Sequence, residues 1–366
     1  MRDEDLVWLI ALNRVTNCTP KQKHLLFEQY GSARAILFQK KEAERRLQKK
    51  LKVDGNPLVV ERAREDAEKA LAYCLENGIA VIGITDHRYP VRLKYIYDPP
   101  LILFAKGETG LLQGETAVGV VGSRKASNWG IGVAYSVGKE LSKVSVTVVS
   151  GLAFGIDYYA HKGALDGTKA TVAVLGNGID VVYPKGNSDM YDRMKREALL
   201  LSEFPIGTPP YKHNFPRRNR VISGLCDGVV VVEASKTSGA LITAQYAMEQ
   251  GREVMAFPGK AQVDSYAGNN SLIKDGAHLV ETPWDILSIL GKDLKHGEER
   301  STFFCSPLEN DILKVIGDDK VSLEDIEKVL KSSVSEIVSA LMMLELEGAV
   351  VQYPGKIFSR VEEYGR

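Results

Sequence analysis

The sequence predicts an α/β protein built on a parallel or mixed sheet, with a small helical domain before it and a winged helix-turn-helix after it. Three observations carry this. From Ile79 onward, short β-branched runs alternate with helical segments, the pattern of parallel strands joined by crossover helices. Residues 1–75 instead repeat apolar residues near helical period, beginning with Leu6, Leu9, Ile10 and Leu12. Residues 308–366 hold three helical stretches and a hairpin turning at Pro354-Gly355.

In residues 1–75 the helical pattern continues through Leu25, Leu26 and Phe27 and then Ile36 and Leu37. The stretch Gln39–Lys52 has seven basic and two acidic residues and reads as a solvated helix face rather than a phosphate contact. In residues 76–290, strands are expected at 79–84, 118–121, 146–149, 171–175, 199–203, 229–232 and 254–257, with helices after most of them. Ligands of such sheets bind at the carboxyl ends of strands, so function is sought in the loops that follow them. Residues 291–307 are rich in charge, end in Ser306-Pro307 and read as a linker. Beyond it, helices Glu309–Ile316, Leu323–Leu330 and Ser335–Glu347 precede strands Ala349–Tyr353 and Lys356–Ser359. Winged helices often set a recognition helix in a DNA groove, but Ser335–Glu347 carries three glutamates and no Lys or Arg, which opposes phosphate binding.

Composition narrows the function classes. A chain of 366 residues has room for two or three domains, and 44% hydrophobic with 26% charged residues excludes a disordered or fibrous protein. Lys plus Arg and Asp plus Glu balance at 47 each, so any polyanion site must be a local concentration of charge. The four cysteines show no C-x-x-C spacing, which argues against a zinc site or disulfide framework and for a reducing compartment. The opening MRDEDLVWLI is charged where a signal peptide is apolar, and no run of about 18 apolar residues occurs. A cytoplasmic protein with no metal, no cofactor and no membrane span is expected.

Three strand-to-helix loops are rich in glycine: Gly122-Ser123-Arg124-Lys125, Ser150-Gly151-Leu152-Ala153-Phe154-Gly155 and Gly176-Asn177-Gly178. Free amides at a helix N-terminus suit an anion, so the loops are expected to form a floor of exposed amides, although glycine is also the ordinary residue of such turns. A dinucleotide site is disfavoured, because G-x-G-x-x-G is absent after the first strand and Val146–Val149 ends at Ser150-Gly151 without the ribose-binding acid. No P-loop, G-x-S-x-G or H-E-x-x-H motif is present. His161 has no paired carboxylate at a telling distance and reads as a helix-borne polar residue.

The strongest constellation is Tyr211-Lys212-His213-Asn214-Phe215-Pro216-Arg217-Arg218-Asn219-Arg220, four cations and two aromatics inside the acid-free stretch Phe204–Cys226. Cations that neutralise successive phosphates beside an aromatic that stacks on an unpaired base are the chemistry of single-strand binding. The bland reading has Phe215 in the core and the arginines paired with acids such as Glu203 and Glu233. Arg220 is expected as such a partner, while Lys212 and Phe215 lie in a proline-bounded loop with a better claim to exposure.

Together with Gly155-Ile156-Asp157, Ala160-His161, Val232-Glu233-Ala234, Ser238–Ala244 and Phe257-Pro258-Gly259, these motifs closely resemble the DprA/Smf family across roughly residues 80–290. The resemblance implies an extended Rossmann-like core, a SAM-like N-terminal domain and a homodimer. It further implies a protein without enzymatic activity that protects single-stranded DNA and loads RecA recombinase during natural transformation and recombination, with single-strand-binding protein as a further partner. It assigns phosphate contacts to Arg124 and Lys212 and a base contact to Phe215. Gly122, Ser123, Ser150, Gly151, Arg218, Asn219 and Arg220 complete the implied DNA site. The implied RecA surface is Gln245, Met248 and Glu249, and the implied dimer contact Leu272, Ile273 and Leu279. In place of the glycines of the family's helix-hairpin-helix, this chain has Asn17-Cys18-Thr19-Pro20, which leaves that hairpin a packing role. The rival reading is a LOG-like nucleotide phosphoribohydrolase with Glu233 and Arg220 as catalytic pair. Its P-G-G-x-G-T-x-x-E loop is replaced here by Ala234-Ser235-Lys236-Thr237-Ser238-Gly239.

Overall fold

The computed structural model describes residues 3–15, 18–39, 57–292, 306–317, 319–346 and 349–360. Most of the basic stretch Gln39–Lys52 and of the expected linker lies outside the described residues. Among the described residues four N-terminal helices, α1 (Asp3–Asn13), α2 (Pro20–Tyr30), α3 (Ala33–Phe38) and α4 (Pro57–Glu76), lead into the sheet. Thr19 caps α2 with a reciprocal Gln22 bond, which gives the Thr19-Pro20 pair a local structural purpose. Leu9, Ile10 and Leu12 of α1 join one continuous core with the first strands of the sheet.

Nine strands form that sheet. They are β1 (Ala80–Gly83), β2 (Ile102–Gly107), β3 (Ala117–Val121), β4 (Thr147–Ser150), β5 (Thr171–Leu175), β6 (Leu199–Ser202), β7 (Gly228–Val231), β8 (Glu253–Ala256) and β9 (His278–Leu279). Their order is β1-β2-β6-β5-β4-β3-β7-β8-β9. From β6 to β9 every pairing is parallel, and β2 runs antiparallel to both β1 and β6. β3 and β5 are buried along their whole length, as continuous apolar strands covered by helices on both faces must be. The sheet is therefore mixed, and β2 and β9 add two strands to those expected from the sequence.

Helices connect the strands. α5 (Val91–Lys94) precedes β2, and α6 (Asn128–Lys143) follows β3. α7 (Ile156–Asp166) follows β4, α8 (Ser188–Glu197) precedes β6 and α9 (Asn214–Leu225) lies between β6 and β7. α10 (Ala240–Glu249), α11 (Ala267–Lys274) and α12 (Pro283–Ile289) complete this part.

A separate core of Ile312, Ile326, Ile337, Leu341, Leu344 and Phe358 holds the C-terminal winged helix. It comprises α13 (Pro307–Ile316), α14 (Leu323–Val329), α15 (Val334–Leu346) and an antiparallel sheet of order β10 (Val321–Ser322), β12 (Ile357–Arg360), β11 (Val350–Tyr353). One acid of the recognition-helix position has a structural reason: Glu336 accepts from Ser333 N at 2.9 Å and Ser333 Oγ at 2.7 Å, closing the first turn of α15.

Candidate nucleic-acid interface

The sheet order reverses between β3 and β7, where parallel sheets usually open a ligand crevice. Here the protein fills it. Glu233, just past β7 and buried, accepts from Ser127 N at 3.1 Å and Ser127 Oγ at 2.6 Å. Ser127 is the N-cap of α6, so a buried carboxylate sits where a pyrophosphate would bind the helix end. Asp157, in the first turn of α7, treats the second loop in the same way, accepting from Gly151 N at 3.1 Å. Burial pushes the Asp157 carboxyl above its ordinary range, opposed by the nearby Arg218 guanidinium and the loop amides.

The glycine loops are consequently not the open amide floor that the sequence suggests. Ser123 N donates to Glu233 O at 2.7 Å, Ile156 N to Ser123 O at 3.1 Å and Gly178 N to Thr208 O at 2.9 Å. Gly155 interlocks the first two loops: its φ is +72°, and a Cβ there would fall 2.3 Å from Ser123 O. With these amides occupied, an anion bound here would have to be met by side chains.

An open pocket of about 390 Å³ remains beside the plugged crevice, lined by Arg124, Phe154, Tyr183, Phe215 and Arg218 among others. Phe215 is half-buried. Its ring lies against Gly176, where a Cβ would approach it to 2.7 Å. The guanidinium carbons of Arg124 and Arg218 stand 5.7 and 5.9 Å from its centroid, within cation–π range, and the Tyr183 ring is 5.4 Å away at a tilt of 40°. Lys212 is exposed in the loop leading into α9, between Tyr211 and His213, whose rings stack at 5.5 Å and 8°.

The structure thus brings Arg124 and Phe215 to one pocket, with Arg218 beneath. Gly122, Ser123 and Asn219 are partly exposed, Asn219 donating to Gly239 O at 3.3 Å. Three expected contacts need correction. Ser150 is buried and donates its hydroxyl to Val120 O at 2.6 Å. Gly151 lines the same pocket, but it is buried and its amide is taken by Asp157. Arg220, 1% exposed, bonds Glu203 at 2.5 Å and pairs with Asp98 at 3.1 Å; a cation so deep in the protein must be paired. Arg218 is also buried, donating to Gly151 O at 3.0 Å and to Val174 O, and burial lowers its guanidinium to about 10.

Glu233 and Arg220, the catalytic pair of the rival reading, hold different partners and do not meet. His161 is fully buried. Because the Thr171 hydroxyl donates to Val148 O at 2.8 Å, it accepts the Nδ1 hydrogen of His161, also at 2.8 Å. Gln245, Met248 and Glu249 share an exposed face of α10. Of the expected dimer residues, Leu279 is 49% exposed on edge strand β9, but Leu272 is buried in the core with Ile273 packed against it.

Sequence reasoning passed over Phe154 and Tyr183, which are 46% and 37% exposed at the pocket. Their signal was local. An aromatic inside a glycine-rich turn does nothing for the turn, and Tyr183-Pro184 follows the third glycine loop.

A family model described as DNA recombination-mediator protein A matches residues 80–291, and one described as DprA winged helix domain matches residues 298–356. The chain is 43% identical to the DNA processing protein DprA of Bacillus subtilis over 61% of its own length and 75% of that protein. The crystal structure of DNA processing protein A from Streptococcus pneumoniae is 35% identical. It covers 79% of this chain and 98% of its own, with a TM-score of 0.65. The Helicobacter pylori protein, whose structure is described for its single-stranded DNA binding mode, is 26% identical over 59% of this chain and 96% of its own, with a TM-score of 0.54.

Proposed function

The chain belongs to the DNA recombination-mediator protein A (DprA/Smf) family, and from that premise we propose that it binds single-stranded DNA across the carboxyl ends of the parallel strands, shields it and delivers it to a RecA-type recombinase during DNA uptake and recombination. The observation that carries this reading is the pocket in which Phe215 lies within cation–π range of Arg124 and Arg218, three residues after exposed Lys212. An aromatic face offered beside cations suits an unpaired base and its phosphate. A duplex keeps its bases stacked and offers none. The protein acts as a binding device without chemistry of its own, as a cytoplasmic homodimer. Among the described residues no helix is long and apolar enough to cross a membrane. The same reading divides the chain into residues 1–75, 76–290 and 308–366.

Within the proposed site Arg124 and Lys212 hold phosphates, Phe215 meets a base, Ser123 and Asn219 position the strand, and buried Arg218 supports the Phe215 ring from beneath. Fluorescence anisotropy with labelled oligo-dT tests this. Lys212→Ala should weaken binding and lower the salt slope by about 0.7. Phe215→Ala should cost about 1–3 kcal/mol with the slope unchanged. If both variants fold and bind oligo-dT as the parent does, the site assignment is wrong. Gel shifts should show preference for single strands over duplex, and RecA should assemble faster on the coated strand.

A further inference from the structure

Outside that pocket, the largest exposures among the bulky aromatic residues described belong to Tyr95 and Tyr97, at 81% and 75%. They lie between α5 and β2. Rings this exposed contribute little to a core, and two within three residues form a patch rather than a scatter. Lys21 of α2 places its Nζ 3.3 Å from the centroid of Tyr97, covering one face and leaving the other to solvent.

Two sets of contacts tie this patch to the DNA-binding helix α9. Asp98, the next residue, pairs with Arg220, three residues after Arg217. Arg217 itself pairs with Glu203 at 3.3 Å and keeps 40% of its side chain exposed. Glu203 O accepts from Asn13, and Asn13 O accepts from buried Lys23 at 2.7 Å, two residues from Lys21 along α2. The strand order places these groups in sequence: Arg124 after β3, Phe154 after β4, Tyr183 after β5, Glu203 with Arg217 after β6, and Tyr97 ahead of β2. Four strand spacings, about 19 Å at ~4.8 Å each, separate β3 from β2. Cations and exposed rings thus run one way across the top of the sheet.

We propose that Tyr97 with Lys21, and Tyr95 beside them, form a second stacking station that receives the same DNA single strand after it leaves the Phe215 pocket by way of Arg217. This rests on the single-strand reading above. The occupant is DNA because the patch combines an open ring face with cations, the pairing that single strands use, and because it continues the proposed DNA path.

Anisotropy with oligo-dT of about 6 and about 20 nucleotides separates the two stations, since site sizes of this kind run from about 4 to 16 nucleotides. Tyr95→Ala/Tyr97→Ala should weaken the long oligomer about tenfold and leave the short one unchanged, and Lys21→Ala should lower the salt slope for the long oligomer alone. Unchanged binding of both lengths overturns the station, as does an equal loss on both with an unaltered thermal melt. A shift in sedimentation with unchanged DNA binding would make the patch a contact between copies, and also overturns it. Failure of the Phe215 pocket would show separately, as Lys212→Ala and Phe215→Ala variants that bind the short oligomer at parental strength.

Discussion

Arg220→Met should destabilise the protein by about 3–5 kcal/mol, read from the denaturant midpoint at constant slope. The Arg220 and Glu203 side chains are only 2% and 3% exposed. Removing the guanidinium leaves a carboxylate that has already surrendered its hydration. Arg217 then faces Glu203 at 3.3 Å from a partly solvated position, with buried Lys23 as a further cation within electrostatic reach. Asp98 also loses its partner; burial already pushes its carboxyl upward, and Arg220 is the main opposing influence. Replacing the carboxylates together with the arginine should recover much of the loss, because the penalty comes from the stranded charge rather than from the missing contact. If Arg220→Met keeps the parental midpoint, the network is solvated and Arg220 returns as a candidate DNA ligand.

The second large effect is a loss of stability in acid traceable to His161. Burial, with a smaller contribution from Arg218, lowers its imidazole to about 3 from 6.5. The unfolded chain takes up the proton below pH 6.5, whereas the folded chain stays neutral down to about pH 3, so stability falls as pH falls through that window. The limiting slope is about 1.4 kcal/mol per pH unit, reaching roughly 5 kcal/mol. Above pH 6.5 His161 contributes no pH dependence. His161→Asn can keep the donor to Thr171 and removes the titration. Asp157, with its raised carboxyl, acts in the opposite sense, so the quantity to measure is the difference between parent and variant across pH 4–7. A difference that does not vary with pH refutes the assignment.

The parallel strands were legible because buried β-branched runs such as Val118–Val121 and Val229–Val232 fit little else between turn signals. β2 was not, since an apolar run after Pro99-Pro100 reads equally as buried helix, and its antiparallel pairing with β6 spans almost a hundred residues. β9 is too short and exposed to show a pattern. At the site, the acid-free loop pointed to Lys212 and Phe215 and forced a distant partner on Arg220. The carboxylate plugs were hidden for a physical reason. Glu233 meets Ser127 across 106 positions, and nothing local distinguishes an internal anion from a surface one. The Ser150 hydroxyl and Gly151 amide, expected to face a ligand, are consequently taken by internal partners.

Those plugs also decide what the protein ignores. With Glu233 and Asp157 occupying the helix ends, a free mononucleotide finds no rigid cradle, only a few separate side chains whose ordering it must offset alone. On the proposed function, a chain of linked phosphates would engage the same side chains in series, each binding event raising the effective concentration of the next. Selectivity for long strands over small nucleotides would then arise from avidity, and competition by ATP or dTMP should be negligible at concentrations where unlabelled oligo-dT displaces probe completely.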